Sequence, residues 1–228
     1  MKKTYQALLE GAKNFVFLGE AGSGKSEIAL NCAIALAKDS EQGVHFFDLD
    51  QTKPLYRSRD ARSVLATHNI TLHHEVHDFD SPTIVGGVTQ SLNSADFTLL
   101  DIGGGENGAK MIGRFAKFLN RDDTAVYYVV NPYRPWSRDI WAVDQTLSAI
   151  LQVSRINKVR MLVNPNLGAG TSAEEFLEGL NRAKAMLDEH ITLEAAFVRE
   201  ELLEDVSNKT QLMTLPLNLY LKYDWIDE

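Results

Sequence analysis

The sequence predicts an α/β fold, a three-layer αβα sandwich with a mostly parallel central sheet. Three observations carry that expectation. A short apolar run, Phe15 to Leu18, leads through a glycine-rich turn into an Ala/Leu/Ile-rich helical segment, the opening of a βα unit. Further apolar runs recur along the chain, in VHFFDLD, DFTLLD, VVNPY and KVRMLVN, with helical stretches between them. Polar residues gather at the carboxyl ends of these runs, where ligands sit in a parallel sheet.

At 228 residues, 44% hydrophobic and 24% charged, the composition suits one globular domain spanning 1–228. No linker, repeat or low-complexity stretch divides it. The formal charge of -8 repels phosphate backbones and anionic lipid, which argues against nucleic-acid partners and membrane surfaces. The single cysteine, Cys32, excludes an intramolecular disulfide and fits a reducing, cytoplasmic setting. MKKTYQALLEGAKN lacks the apolar stretch of a secretory signal, and the longest apolar-dominated run, Ile28 to Ala37, is about half of what a bilayer needs.

The turn after the first strand reads GEAGSGKS, from Gly19 to Ser26, and satisfies G-x-x-x-x-G-K-[ST] in its strand–loop–helix context. Gly19, Gly22 and Gly24 let the backbone aim successive N–H groups inward, and the helix starting near Lys25 adds the positive end of its dipole. Such a cradle suits a triphosphate. Lys25 is placed to reach the β- and γ-phosphates, and the Ser26 hydroxyl to ligate Mg²⁺. The expected nucleotide-binding segment is Gly19, Glu20, Ala21, Gly22, Ser23, Gly24, Lys25, Ser26 and Glu27. The helix that follows, SEIALNCAIALAK, is apolar nearly all round, so it is expected to be buried with Cys32 as inert packing.

VHFFDLDQTKP is the next strand and ends in Asp48 and Asp50. Acids there can hold a Mg²⁺-bound water or orient the water attacking a γ-phosphate; as a bland alternative they cap a turn. The third strand, from about Asp96 to Asp101, ends in Asp101-Ile102-Gly103-Gly104-Gly105. Its acid has the position of a Walker-B residue, and its glycines permit close backbone approach and a loop that changes conformation.

These motifs resemble the SIMIBI class of P-loop NTPases, and within it the MinD/ParA-like ATPases, over most of the chain. The resemblance rests on GEAGSGKS, Asp48-Leu49-Asp50, Asp101 to Gly104, and the Asn-Pro loop VVNPYRPWSRD from Val129 to Asp139. It implies that Asp50 positions the attacking water, that Asp48 lies near Mg²⁺, that DQTKPLYRSRDARSVL is a switch, and that a nucleotide-dependent homodimer forms. One departure stands out. The family's signature lysine near the start of its phosphate loop is replaced here by Glu20, leaving Arg57, Arg59 or Arg62 as candidate substitute cations. The same basic stretch reads equally as a solvated helix face.

Asn164-Pro165-Asn166-Leu167 ends the strand KVRMLV where related GTPases carry Asn-Lys-x-Asp. Leu167 cannot accept from guanine as an Asp does, so adenine is favoured. The resemblance implies base contact by Asn164 with Pro165 beside it; Asp188 is another acid that could serve.

Weaker signals complete the survey. His68, His73, His74, His77, Asp78 and Asp80 have a metal-like composition, but adjacent strand residues face opposite ways, and solvated histidines account for them better. Tyr133, Arg134, Trp136, Arg138 and Trp141 form either a partner surface or a buried corner, with burial favoured and Ser137 capping the helix RDIWAVDQTLSAIL. SAEEFLEGLNRAKAMLDEH is a scaffold helix capped by Thr171 or Ser172. The C-terminal LPLNLYLKYDWIDE lacks a basic amphipathic membrane helix.

The expected activity is Mg²⁺-dependent ATP binding and slow hydrolysis, with Lys25 and Asp50 catalytic and Ser26, Asp48 and Asp101 at the metal. A switch accessory to another protein leads. A MinD/ParA-like positioning or partition ATPase and a small-molecule ligase or kinase are the alternatives. A metal-insertion GTPase ranks behind them, because the guanine motif and cysteine ligands are missing.

Overall fold

In a computed structural model that describes residues 5–50, 57–74, 85–187 and 191–221, the chain forms helices around one eight-stranded sheet. The first part contains α1 (Gln6–Leu9), β1 (Asn14–Gly19), α2 (Lys25–Asp39), β2 (Val44–Leu49), α3 (Arg62–Thr67), β3 (Ile70–His73), α4 (Val88–Ser91) and β4 (Phe97–Ile102). Then come α5 (Gly105–Lys110), α6 (Ala116–Leu119), β5 (Thr124–Val130), α7 (Ile140–Ser154), β6 (Arg160–Val163), α8 (Ala173–Leu187), β7 (Leu193–Arg199), α9 (Leu203–Ser207) and β8 (Met213–Leu217).

The strand order is β3-β2-β4-β1-β5-β6-β7-β8, and among the described residues every pairing is parallel. The sheet is thus wholly parallel where the sequence predicts a mostly parallel one. Its two faces are covered separately. Phe15 and Phe17 of β1 pack with Ile28, Ala29 and Leu65 on the side of α1, α2 and α3. Val16 and Leu18 face the opposite core, with Ile150 of α7, Leu180 of α8 and Val206 of α9. Alternation along one strand therefore feeds two cores, which explains why β1 reads as a continuous apolar run.

The chain fills one side of β1 with β4, β2 and β3, then crosses to the other with β5 to β8. That reversal puts the crevice of a doubly wound sheet at the carboxyl end of β1, where the glycine loop lies. Register sharpens the placement. Asp48 of β2 pairs with Asp101 of β4, and Asp101 pairs in turn with Phe17 of β1, two residues before the loop.

Helix starts follow the chain's capping chemistry. Ser172 and Glu175 form a reciprocal pair before α8: the Ser172 amide donates to the Glu175 carboxylate over 2.8 Å, and the Glu175 amide donates to the Ser172 hydroxyl over 3.2 Å. Phe176, Leu180, Ala183 and Leu187 then form the buried stripe of that helix. For α7 the expected cap is corrected. Asp139, not Ser137, accepts from the Ala142 amide at 2.8 Å, because Ser137 sits within a short 3-10 turn that ends before α7 starts.

The apolar helix α2 contains one polar device. Asn31 donates to Asn218 O at 2.9 Å and accepts from Asn218 N at 3.0 Å, while the Glu27 carboxylate accepts from the amides of Tyr220 and Leu221. The segment after β8 is thereby pinned along α2. Cys32 is fully buried there, and burial pushes its thiol far above the ordinary range, in keeping with packing rather than reactivity. No helix among the described residues is long and apolar enough to cross a membrane.

Candidate nucleotide site

The glycine loop is held by its carbonyls. Trp136 Nε1 donates to Ala21 O at 3.2 Å, Arg134 Nε and Asn131 Nδ2 donate to Gly22 O at 3.2 and 3.3 Å, and Asn164 Nδ2 donates to Ser23 O at 2.9 Å. Four side chains from the loops after β5 and β6 thus fix three consecutive carbonyls. Satisfying these acceptors fixes the conformation of the loop, in which the Ser23 amide also donates to Glu20 O at 3.2 Å. Asn131 also binds the neighbouring loop, donating to Asn166 O at 2.8 Å.

Close approach explains two of the glycines. Gly24 caps α2 in the left-handed region at φ 88°, and a β-carbon there would overlap the Asn164 amide. Gly104 approaches the loop from β4, so that a β-carbon on it would lie 3.0 Å from Ala21 N. The glycine run after Asp101 therefore packs closely against the loop after β1.

Lys25 and Ser26 open α2, both buried. Asp48, Asp50 and Asp101 are buried within the same crevice, and Asp50 lies beside Gly103, whose β-carbon would meet its carboxylate at 3.2 Å. Asp48 accepts from the Asp50 amide at 3.0 Å and from Arg59 Nε at 2.6 Å; Ser58 donates its hydroxyl to Asp101. Of the candidate substitute cations, Arg59 is thus engaged with Asp48, and Arg62 is exposed beside His74. Arg59 is turned inward onto a carboxylate and Arg62 lies on a helix face; Gln51 to Tyr56 lie outside the described residues.

Glu20, in place of the signature lysine, packs against the next loop: a β-carbon on Gly105 would lie 2.9 Å from its carboxylate. Partial burial raises its pKa, while the Ala21 amide and Lys25 pull it back.

Beside the loop opens a cavity of about 690 Å³ lined by Gly24, Glu27, Asn164, Pro165, Arg199 and Leu219, among others. Its volume is in the range of small-molecule sites. The residues expected at the base therefore border it, but the Asn164 amide is spent on Ser23 O. Leu167 stands 48% exposed, its amide donating to Thr171 Oγ1. Asp188 lies outside the described residues.

The aromatic cluster is a correction. Trp136 is 42% exposed and Trp141 79% exposed, so the favoured buried corner does not form around them. Tyr133 alone turns inward, donating to Glu175 O, and Trp136 and Arg134 serve the phosphate loop instead.

The histidine region holds no metal cluster among the described residues. His73 hydrogen-bonds His45 at 3.0 Å and stacks on Phe47 with ring centroids 4.2 Å apart; His77, Asp78 and Asp80 lie outside the described residues.

A glycine loop between β1 and α2, at the switch point of a parallel sheet covered by helices on both faces, defines a P-loop NTPase fold. No protein-family model matches the chain, and no curated protein matches it. Solved structures to which the chain is similar include the signal recognition particle receptor FtsY from Elizabethkingia anophelis, in complex with GDP, at 14% identity and a TM-score of 0.47. That likeness covers 82% of this chain and 57% of the receptor chain. The signal recognition particle 54 kDa protein from Aeropyrum pernix K1, also with GDP, is 12% identical with a TM-score of 0.38, covering 92% of this chain and 43% of that one. HypB from Helicobacter pylori, in complex with nickel, is 16% identical with a TM-score of 0.42, covering 92% of this chain and 89% of that one. The chain thus spans about half the length of the first two.

Proposed function

We propose that the chain, acting as one unit over 1–228 in the cytoplasm, binds ATP with Mg²⁺ at the 19–27 loop. We infer that it hydrolyses the nucleotide slowly, as a SIMIBI-class switch accessory to another protein. The observation that supports this most is the bracing of Ala21, Gly22 and Ser23 by their carbonyls. A loop so tied has its N–H donors preorganised before the ligand arrives, which is what phosphate binding and charge stabilisation both use.

Ser26, Asp48 and Asp101 offer hard oxygen donors at adjoining strand and helix ends, a set that fits Mg²⁺, which is bound through few protein oxygens together with phosphates. When bound, Mg²⁺ neutralises charge developing on the phosphate oxygens. Lys25, buried at the start of α2, holds the negative charge of the β- and γ-phosphates. Asp50, next to the backbone of Gly103, orients the attacking water.

Adenine is favoured by the wall of the cavity. Glu27 is the one acid among its described lining residues, and its carboxylate already accepts from the amides of Tyr220 and Leu221. Guanine N1–H and its amino group would lack a carboxylate acceptor there. The MinD/ParA-like resemblance adds a nucleotide-dependent homodimer or client contact, for which Trp136 beside the loop and Trp141 at the start of α7, both exposed, are suited.

The test is the thermal midpoint of the wild type and of Lys25→Ala with Mg-ATP, Mg-GTP or Mg²⁺ alone. A ligand that binds the native state alone raises stability by mass action. An upward shift with ATP that the variant loses is the expected result. A shift with GTP alone overturns the adenine assignment, and no shift with either overturns the site.

A further inference from the structure

The turn Ser58–Ala61 lies on the carboxylates that the proposed function gives to the metal. Arg59 Nε donates to Asp48 Oδ2 at 2.6 Å, the Arg59 amide donates to the same oxygen at 3.2 Å, and Arg59 Nη2 donates to Asp50 O at 3.0 Å. One residue earlier, the Ser58 hydroxyl donates to Asp101 Oδ2. Ser58 and Asp101 are fully buried, and the side chains of Arg59 and Asp48 are 14% and 0% exposed.

We propose that Arg59 and Ser58 are an intramolecular stand-in for the cation, and that loading Mg²⁺ with nucleotide lifts the 58–61 turn off the ends of β2 and β4. This rests on the reading of Asp48 and Asp101 as metal carboxylates.

The physical argument is one of competition. A fully buried carboxylate needs a compensating charge, and the guanidinium supplies it at short range. Asp48 has about four acceptor positions. The Asp50 amide takes one on Oδ1, and Arg59 takes two on Oδ2. Mg²⁺ demands near-octahedral geometry and strong oxygen donors, so it cannot share Oδ2 with a guanidinium held this closely. Arg59 and the metal therefore compete for Asp48 Oδ2, as Ser58 and the metal compete for Asp101 Oδ2.

The coupling is reciprocal. Whatever holds the turn down raises the Mg²⁺ requirement, and whatever fills the cation position frees the turn. Because the turn runs directly into α3, which carries exposed Arg62, occupancy of a buried site becomes legible at the surface. The carboxylate pair is thus compensated in both states, by arginine before loading and by metal afterwards.

The experiment titrates Mg²⁺ against binding of N-methylanthraniloyl-ATP and N-methylanthraniloyl-GTP to the full chain, with EDTA as the metal-free reference, in wild type, Arg59→Gln and Ser58→Ala. The half-saturating Mg²⁺ concentration is expected to fall about tenfold in Arg59→Gln, inside the roughly 5–150-fold span of site couplings, and less in Ser58→Ala. Affinity in EDTA is measured for each variant, and the Mg²⁺ requirement is read relative to it. Trypsin cleavage after Arg57, Arg59 and Arg62 in the wild type is expected to quicken with Mg-nucleotide over nucleotide alone.

An unchanged or higher Mg²⁺ requirement in Ser58→Ala, which keeps every charge, and in Arg59→Gln where it folds, overturns the stand-in while leaving the phosphate loop intact. Absence of nucleotide binding to the wild type, with or without Mg²⁺, overturns the reading of the site and the stand-in with it.

Discussion

Asn164 donates its side-chain amide to the main-chain carbonyl of Ser23 over 2.9 Å, and the same amide fills the space where a β-carbon on Gly24 would lie. The end of β6 and the start of α2 are therefore fitted to each other by one side chain that the sequence separates by 141 residues. The asparagine expected at the base thus also braces the loop after β1.

Gly24→Ala and Asn164→Ala should both weaken the loop, and not additively. The alanine at 24 is strained by about 1–2 kcal/mol for its left-handed backbone and also collides with the Asn164 amide. Asn164→Ala loses a buried hydrogen bond, a cost of roughly 1–3 kcal/mol. The double variant is expected to be at least about 0.5 kcal/mol more stable than the sum predicts, measured by urea unfolding. Strict additivity would show that the two sites do not share the contact.

Lys25→Ala is expected to abolish nucleotide binding, whereas Asp50→Ala keeps binding and stops turnover. Calorimetric titration and phosphate release separate the two effects. A fully active Asp50→Ala protein would remove that acid from the chemistry.

Glu20→Gln should tighten nucleotide binding by about 3–10-fold, because it removes a partly buried negative charge that acts on Lys25 while keeping the shape. The same change should also raise the thermal midpoint at pH 7. The carboxyl group's folded pKa lies above its unfolded value, so its contribution to stability is present in acid and lost as pH rises through that folded value. At neutral pH the ionised Glu20 is a burden that glutamine lacks.

His73 should make the protein acid-sensitive. Burial, and next the neighbouring His45, lower its pKa, so between that value and about 6.5 the unfolded chain binds more protons than the native one. Its stabilisation is complete above about pH 6.5 and is lost as the pH falls through the folded value. His68, lowered by burial and by Lys38, acts in the same direction. His73→Gln is expected to flatten the fall in thermal midpoint between pH 6.5 and 5 without abolishing it; an unaltered slope would place the sensitivity elsewhere.

The first strand, the glycine loop and the acids at Asp48, Asp50 and Asp101 were legible because their signals are local: an apolar run, a glycine turn, a charge at its end. β7 and β8 carry no comparable signal. LEAAFVR has two alanines at its centre, and MTLPL contains Pro216, tolerated because β8 is an edge strand. The braces at Asn131, Arg134 and Trp136 were beyond reach for another reason. Each contacts the loop across more than a hundred residues, and an exposed Trp–Arg cluster looks the same in sequence whether it serves a partner or a backbone carbonyl.

The pinning of residues 218–221 to Asn31 and Glu27 sets an order of events in synthesis. Leu219 and Leu221 of the cavity wall emerge about 200 residues after the glycine loop, some 10–40 s at ordinary elongation rates. Until then α2 has an uncovered apolar side and the cavity stands open, so a nascent chain holds the phosphate cradle without the finished chamber beside it. The chamber beside the glycine loop is therefore closed only after β8 has been made, so its wall forms later than the loop it adjoins.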